Sequence, residues 1–425
     1  MPGPCDDDGR TLINPQLMVC TSCFGDDGLK HFVASRVVSK KCSFCGATSK
    51  RKLIAAPLTG VVEHMATSLS EYYRSPDDAG MVYETAEGGY QGTIYDTYDL
   101  LTDVIELDLP NDDGQLFDEI CGGLGDQSWC TRYLYELGPN EQLSSSWKEF
   151  CELIKHRRRF FFMNGLARGR DDELLSPAET LSAIFNYAQT TGLVRELPAG
   201  QKFIRVRKQN EPAPYTKVCE LGPPSVDKAI QSNRMSPAGI VMTYVSEDRL
   251  TALRETADKP GTYAVGTFVT ERPIRLFDIA TLPAIPSIFE EIPDSLEYHP
   301  RHLLLFLHEI AQDISRPIER DGREHIEYVP TQVVTEYVRM RKTICGKQVD
   351  GIRYRSARCA GGISLVLFAD RDNIVPDEPK ESAYGPDYWI RLMSATATRV
   401  SKAQIAAWAK EKVLASSQFS FSATV

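Results

Sequence analysis

The chain has 425 residues, 42% of them hydrophobic and 25% charged, which is enough for two domains that each bury a core. No run approaches the ~18 apolar residues of a membrane span, and the first residues lack the basic and apolar regions of a signal peptide, so we expect a cytoplasmic protein. The formal net charge of −10 argues against a broad nucleic-acid interface, which requires a basic face, so neither nucleic acid nor membrane is an expected partner.

Residues 1–52 form a cysteine-rich head with two CxxC pairs, Cys20 with Cys23 and Cys42 with Cys45. The eighteen residues between the pairs are typical of a tetrahedral Cys₄ zinc site. Because four thiolates leave no open coordination position, we expect a structural Zn²⁺. A disulfide framework is not expected in a long chain without a secretory signal.

Residues 53–175 are predicted to form a helical domain, since apolar residues recur there at helical spacing. The clearest examples are Val61, Val62, Met65 and Leu69, then Tyr98, Leu101, Val104 and Ile105, then Trp147, Phe150, Leu153 and Ile154. Ser176, Pro177 and Glu179 have the order of a capping box with proline in the first turn. They predict a helix to about Thr190, within a linking segment over 176–200.

From residue 201 the pattern changes to short apolar runs separated by loops rich in proline and glycine. Candidate strands cover 202–207, 240–245, 262–270, 274–278, 351–355 and 363–369. Candidate helices cover 248–258, 299–313, 331–342 and 401–415. We therefore predict a domain of mixed helix and strand over 201–390, followed by a C-terminal helix and tail over 391–425.

Arg205 and Arg207 are two residues apart on the first of these strands, so we expect their side chains on the same face. The planar fork of an arginine binds phosphate oxygens bidentately, and Arg234, in a loop before the next strand, can meet a pyrophosphate from the other side. Tyr244 can stack on a flat ring. An exposed cationic strand and a core tyrosine are the alternative interpretations.

Glu255 is the residue that we expect to carry the chemistry, assisted by Arg205 and Tyr244. Two separated arginines, a tyrosine, a glutamate and a serine are what a site needs to hold a pyrophosphate, a flat ring and a ribose, which indicates a dinucleotide, with NAD the leading candidate. A carboxylate beside the anomeric carbon of its ribose stabilises the positive charge that develops when nicotinamide leaves. Ser356 can bind a phosphate or a ribose hydroxyl, and we do not assign it as a nucleophile because no base can be placed beside it. A glutamate on a helix surface is the alternative, with Glu247 the nearest decoy.

The order of these segments resembles the RES domain, which is named for its Arg, Glu and Ser. The resemblance covers residues 196–385 and rests on Phe203–Arg207, Leu221–Pro224, Asn233–Gly239, Thr251–Thr256, Tyr328–Gln332 and Gly351–Ser356. It implies an α+β fold like that of ADP-ribosyltransferases, with small, mixed or split sheets around a cleft for NAD. It also implies an antitoxin or another regulatory protein as partner, because many RES domains are toxins. A homo-oligomer is left open.

The amino-terminal half also resembles the region that precedes RES domains in some proteins and is grouped with the HEPN helical superfamily. This resemblance covers residues 15–165 and rests on Val19–Leu29. Many HEPN domains are RNases with an Arg followed after four to six residues by His, and that pair is absent before Arg170. We therefore interpret this half as a binding, sensing or inhibitory module, with a dimerisation or stability module as the alternative.

The sequence contains neither GxGxxG nor GxxxxGK[ST], so NAD is expected as a consumed substrate and not as a recycled cofactor. The leading hypothesis is an NAD phosphorylase or glycohydrolase of the toxin or defence type, which cleaves the nicotinamide–ribose bond. A protein ADP-ribosyltransferase and a non-catalytic nucleotide-binding sensor or scaffold are the alternatives. The residues do not choose among phosphate, water and protein as the acceptor.

Overall fold

The computed structural model describes residues 13–86, 88–162, 174–292, 300–318, 322–341, 346–377 and 387–419. The chain divides into two compact units. The amino-terminal unit lies within Met1–Gln142 and Ala284–Leu305, and the sheet unit lies within Leu143–Pro283 and Phe306–Thr424. The start of the predicted head, the end of the predicted helical domain and the last residues of the tail lie outside the described residues.

The amino-terminal unit is built from helices joined by small antiparallel sheets. Its helices are α1 Asp27–Ser35, α2 Leu58–Ser70, α3 Thr97–Asp99, which continues as a π-helical turn over Leu100–Val104, and α4 Gln115–Leu124. Its strands are β1 Met18–Cys20, β2 Ala55–Pro57, β3 Tyr73–Arg74, β4 Tyr83–Glu84, β5 Gly89–Tyr90 and β6 Cys130–Thr131, paired as β1–β2, β3–β6 and β4–β5. Apolar faces of α1, α2 and α4 meet in one core.

A distant segment of the chain completes this core. Phe289 is only 1% exposed and packs among the buried residues of the amino-terminal unit. The Nε2 of His64 donates a hydrogen bond to the carbonyl of Phe289 at 2.8 Å. Gly28 lies so close to this segment that a Cβ there would be 2.6 Å from the backbone nitrogen of Glu290. Close packing and a hydrogen bond therefore both hold this segment against the amino-terminal core.

The sheet unit contains the longer elements. The helices that lie wholly or mostly in it are α5 Pro139–Glu152, α6 Pro177–Thr190, α7 Val218–Leu221, α8 Arg249–Thr256, α9 Pro300–Ser315, α10 Glu324–Glu327, α11 Val329–Met340 and α12 Lys402–Phe419. Its strands are β7 Val194–Leu197, β8 Lys202–Lys208, β9 Thr243–Ser246, β10 Gly261–Thr270, β11 Ile274–Asp278, β12 Gly351–Arg355, β13 Ile363–Leu367 and β14 Ile390–Val400.

These strands form one mixed sheet in the order β14-β10-β8-β9-β13-β12-β11-β7. Strands β11 and β12 run parallel, whereas the other neighbours are antiparallel. In the described part of the chain, β8 and β9 pair only at Ile204 with Ser246, so the sheet opens on either side of that pair. The α+β prediction with small and mixed sheets is confirmed.

Most predicted elements of the sheet unit are present with small shifts of their ends. The capping box predicted at Ser176 forms, since its hydroxyl accepts from the Glu179 amide and the Glu179 carboxylate accepts from the Ser176 amide. Residues 391–400 belong to the segment that we predicted as C-terminal helix and tail, but with Ile390 they form β14, a strand that we did not predict. This strand pairs with β10 at one edge of the sheet and leaves many of its side chains exposed, so its sequence lacks a clear apolar alternation.

We expect Phe289→Ala to lower the stability of the amino-terminal unit by about 3–5 kcal/mol, because a fully buried ring is replaced by a cavity. Native-state hydrogen exchange of the α2 amides measures this effect in the intact chain. Ile292→Ala is the matched control, since Ile292 belongs to the same segment but is 38% exposed. Equal α2 protection in the Phe289→Ala variant and the wild type would contradict the seating of this segment.

Candidate functional site

A cavity of about 960 Å³ opens in the sheet unit beside the place where β8 and β9 separate. This volume is at the upper end of the ~300–1,000 Å³ typical of small-molecule sites. Its wall is formed by β8, β9, α8, the loop between α7 and β9, and the region around α10. The predicted site residues that line it are Arg205, Arg207, Arg234, Tyr244 and Glu255.

Arg205 provides a cation that is held in place by the backbone. Its Nε donates to the carbonyl of Leu221 at 2.9 Å, and its Nη1 donates to the carbonyl of Tyr244 at 2.7 Å. Burial, and then the neighbouring Arg207, lower the pKa of Arg205 to about 10, so it remains charged at neutral pH. Among the described residues no carboxylate pairs with it, and its Nη2 is not engaged by an acceptor.

Arg207 lines the same cavity, as the strand alternation predicts, but it is exposed to solvent. Its Nη1 donates to the carbonyl of Glu220 at 2.6 Å. An exposed cation is well screened, so Arg207 contributes less to the local potential than Arg205 does. The structure thus distinguishes two arginines that the sequence leaves similar.

Arg234 is fixed by the C-terminal end of α9. Its guanidinium donates to the carbonyls of Ile314 and, at 2.8 Å, of Arg316. It also lies 5.7 Å from the centroid of the Tyr328 ring. Carbonyls at a helix C-terminus attract a cation, so this end of α9 holds the arginine in the cavity wall. The two carbonyls occupy donors that a ligand would otherwise use.

Tyr244 lies on β9 with its hydroxyl 2.9 Å from the Oγ of Ser236. The backbone amide of Met235 donates to the same phenol oxygen at 3.3 Å. Burial raises the pKa of Tyr244 to about 12, so the phenol stays neutral. Its hydroxyl fastens the loop before β9 to the strand, while the residue lines the cavity.

Glu255 lies at the end of α8 and accepts a hydrogen bond from the hydroxyl of Ser356. Ser356 itself is not among the cavity-lining residues, but its Oγ also accepts from the amides of Arg358 and Cys359, at 3.1 and 3.0 Å. These contacts join the end of β12 to α8. They fix one carboxylate oxygen of Glu255 within a cationic cavity.

The helix that carries Glu255 is held at both ends. At its start, the Asp248 side chain accepts from the amide of Thr251 at 2.9 Å and caps α8. Toward its end, Arg254 pairs with Glu411 of α12 and lies 5.7 Å from the Trp408 ring centroid. The C-terminal helix therefore supports the element that presents the carboxylate.

The decoy glutamate has a different role. Glu247 accepts from the Nε of Arg353 at 2.7 Å, and Arg353 also pairs with the buried Asp278. Glu247 does not line the cavity. Other lining residues were not assigned to the site from the sequence, although Tyr328 and Tyr354 lie in segments that carry the RES resemblance. They include Ser246, Glu324, His325, Tyr328, Tyr354, Arg358 and Ser364.

The four predicted cysteines meet in the amino-terminal unit. Their sulfurs lie within 4.8 Å of one another. Cys20 is 3.8 Å from Cys23 and 3.5 Å from Cys45, and Cys23 is 3.6 Å from Cys42. A tetrahedron with metal–sulfur bonds of ~2.3 Å has sulfurs about 3.8 Å apart, so the four thiols fit one metal ion. His31, which lies between the two CxxC pairs in the sequence, has its Nδ1 3.3 Å from the Glu290 carboxylate.

Comparison with known families identifies two domains in the chain. The HEPN/RES N-terminal domain 1 family matches residues 36–167, and the RES domain family matches residues 213–390. The chain is a RES-domain protein with an N-terminal HEPN/RES domain. No curated protein and no solved structure matches it.

The RES match includes Arg234, Tyr244, Glu255 and Ser356, whereas Arg205 lies just before it. At the level of the family, the RES domain implies an NAD-related function of the toxin or defence type. In the described residues no helix has both the length and the apolarity to cross a membrane.

We expect the purified chain to contain one metal ion, zinc, per molecule, because four thiols at these distances form a closed tetrahedral site. Cys23→Ser should lower the metal content measured by mass spectrometry and the temperature of unfolding. Cys121→Ser is the matched control, since this half-buried cysteine lies outside the cluster. Equal metal content in both variants and the wild type would show that the cluster is not the binding site.

Proposed function

We propose that this RES-domain protein consumes NAD by cleaving the bond between nicotinamide and ribose. The observation that carries the proposal is Glu255, a carboxylate fixed by Ser356 in a cavity whose other charged groups are mainly cations. A dinucleotide needs this pairing of opposite charges, because its pyrophosphate is anionic while its reacting ribose becomes cationic.

Arg205 is the group that we assign to the pyrophosphate. Its guanidinium is oriented by two carbonyls, so it loses little freedom when it binds an anion. A bound phosphate also supplies the counter-charge that the partly buried cation lacks among the described residues. Arg207 adds positive potential at the exposed side, and Arg234 borders the cavity from the α9 side.

Glu255 stabilises the transition state in this proposal. As the bond to nicotinamide breaks, positive charge develops on the anomeric carbon and ring oxygen of the ribose. A carboxylate held in place beside that carbon lowers the barrier without reorganising. The Ser356 hydroxyl keeps one carboxylate oxygen in position, so the other remains for a ribose hydroxyl.

The acceptor defines the finer activity. Attack by phosphate makes the protein an NAD phosphorylase, attack by water makes it a glycohydrolase, and attack by a protein side chain makes it an ADP-ribosyltransferase. Incubation with NAD, with and without phosphate, separates them. The products are ADP-ribose-1″-phosphate, free ADP-ribose and labelled protein, respectively. NAD binding without nicotinamide release would instead favour a sensor or scaffold.

We expect Glu255→Gln to lower the rate of nicotinamide release by about 10²–10³-fold, since the amide keeps the shape but loses the charge. Glu271→Gln is the control, because Glu271 pairs with Arg391 on the surface, outside the cavity. Unchanged nicotinamide release in Glu255→Gln would reject the catalytic assignment.

We expect Arg205→Lys to raise the KM for NAD about tenfold or more, because an ammonium cannot bind two carbonyls and a phosphate with one planar fork. Arg207→Lys should change the KM by less than about threefold, since an exposed cation is screened and lysine keeps its charge. Initial rates at varied NAD concentrations measure both. A larger effect at Arg207 would reverse the assignment of the pyrophosphate-binding residue.

A further inference from the structure

Tyr354 occupies the floor of the cavity, on β12. In the sheet register it lies opposite Ser364 of β13, which in turn lies opposite Ser246 of β9. Residues directly opposite in antiparallel strands point to the same face, and all three line the cavity. The result is a row of hydroxyl-bearing residues across three neighbouring strands.

The hydroxyl of Tyr354 has no hydrogen-bond partner among the residues that the structure describes, although the residue is only 7% exposed. By contrast, the hydroxyl of the buried Tyr263 donates to the carbonyl of Lys259 at 2.6 Å, and the hydroxyl of the partly buried Tyr244 contacts Ser236. Ser246 and Ser364 contact each other at 3.2 Å. The Tyr354 hydroxyl is therefore open to the cavity with its hydrogen-bonding capacity unused by the described residues, so a bound ligand can reach it.

The surroundings of Tyr354 define what it can do. Burial raises the pKa of this phenol well above its usual value, and the nearby Glu255 raises it further, with Tyr244 and Tyr328 acting in the same direction and Arg234 opposing them. The hydroxyl therefore keeps its proton over the whole working pH range and acts as a hydrogen-bond donor.

We propose that Tyr354 is a substrate-contacting residue whose hydroxyl donates a hydrogen bond to a hydroxyl oxygen of the reacting ribose of NAD. This inference rests on the proposed function, which places that ribose beside Glu255. A carboxylate can only accept hydrogen bonds, so Glu255 accepts one from a ribose hydroxyl. The oxygen of that hydroxyl can still accept a hydrogen bond from another donor. Tyr354 supplies this donor in the part of the cavity that Glu255 faces.

The test compares Tyr354→Phe with the wild type, using ADP-ribose and ADP as calorimetric ligands. ADP-ribose contains the reacting ribose, whereas ADP lacks it. We expect the variant to bind ADP-ribose about three- to tenfold more weakly, as for one lost hydrogen bond, and to bind ADP with unchanged affinity. Without ligand the variant should unfold at the same or a higher temperature, because the hydroxyl that it lacks has no partner.

Tyr263→Phe is the matched control. It removes a phenol that does have an internal partner, so it should lower the unfolding temperature and leave ADP-ribose affinity unchanged. Unchanged ADP-ribose affinity in Tyr354→Phe would overturn the inference. So would an equal loss for ADP, which would place the contact in the other half of the dinucleotide, or a lowered unfolding temperature, which would show a structural hydrogen bond.

The two proposals fail in different ways. If the wild type binds ADP-ribose and releases nicotinamide while Tyr354→Phe binds ADP-ribose equally well, only the role of Tyr354 is wrong. If the wild type neither binds ADP-ribose nor releases nicotinamide, the proposed function is wrong and the role of Tyr354 falls with it.

Discussion

The cation of Arg205 sits at the junction of β8 and β9, and among the described residues only backbone carbonyls are bonded to it. A partly buried charge without a counter-ion lowers the free energy of unfolding. In this protein such a charge lies where the sheet opens. The same two carbonyls connect the arginine to α7 and to β9, so the position of the charge and the shape of the cavity are set together. The shape and the charge of the cavity therefore both depend on how β8 and β9 separate.

The local part of this arrangement could be predicted from sequence. The alternation of Arg205 and Arg207 places both on the cavity side, and the strands over 274–278 and 351–355 have the predicted ends. These features depend on short-range periodicity and on nearby turn residues, which a single sequence displays. The two CxxC pairs are predictable for the same reason, since their spacing is itself the signal.

The rest depends on contacts between distant residues. The carbonyls that hold Arg234 belong to α9, and backbone acceptors leave no trace in residue type. Tyr354 looks like an ordinary core residue until the register of β12, β13 and β9 shows that it shares the cavity floor. Strand β14 was missed because an exposed edge strand need not alternate. Phe289 gave no signal in the sequence, because His64 and Gly28, which contact it, lie more than two hundred residues earlier.

The course of the chain through the two units has a practical consequence. The segment containing Phe289 lies between β11 and α9 in the sequence. Most of these two elements belongs to the sheet unit, but the segment contributes to the amino-terminal core. If the chain were cut once after the amino-terminal half, the C-terminal fragment would keep Phe289 without its packing partners. The N-terminal fragment would have a cavity in its core where Phe289 packs. The two units are interlaced along the sequence, and neither could be exchanged between proteins by simple recombination at one boundary. A protein that acquired only one of the two units would also need a change in the sequence of the segment that contains Phe289.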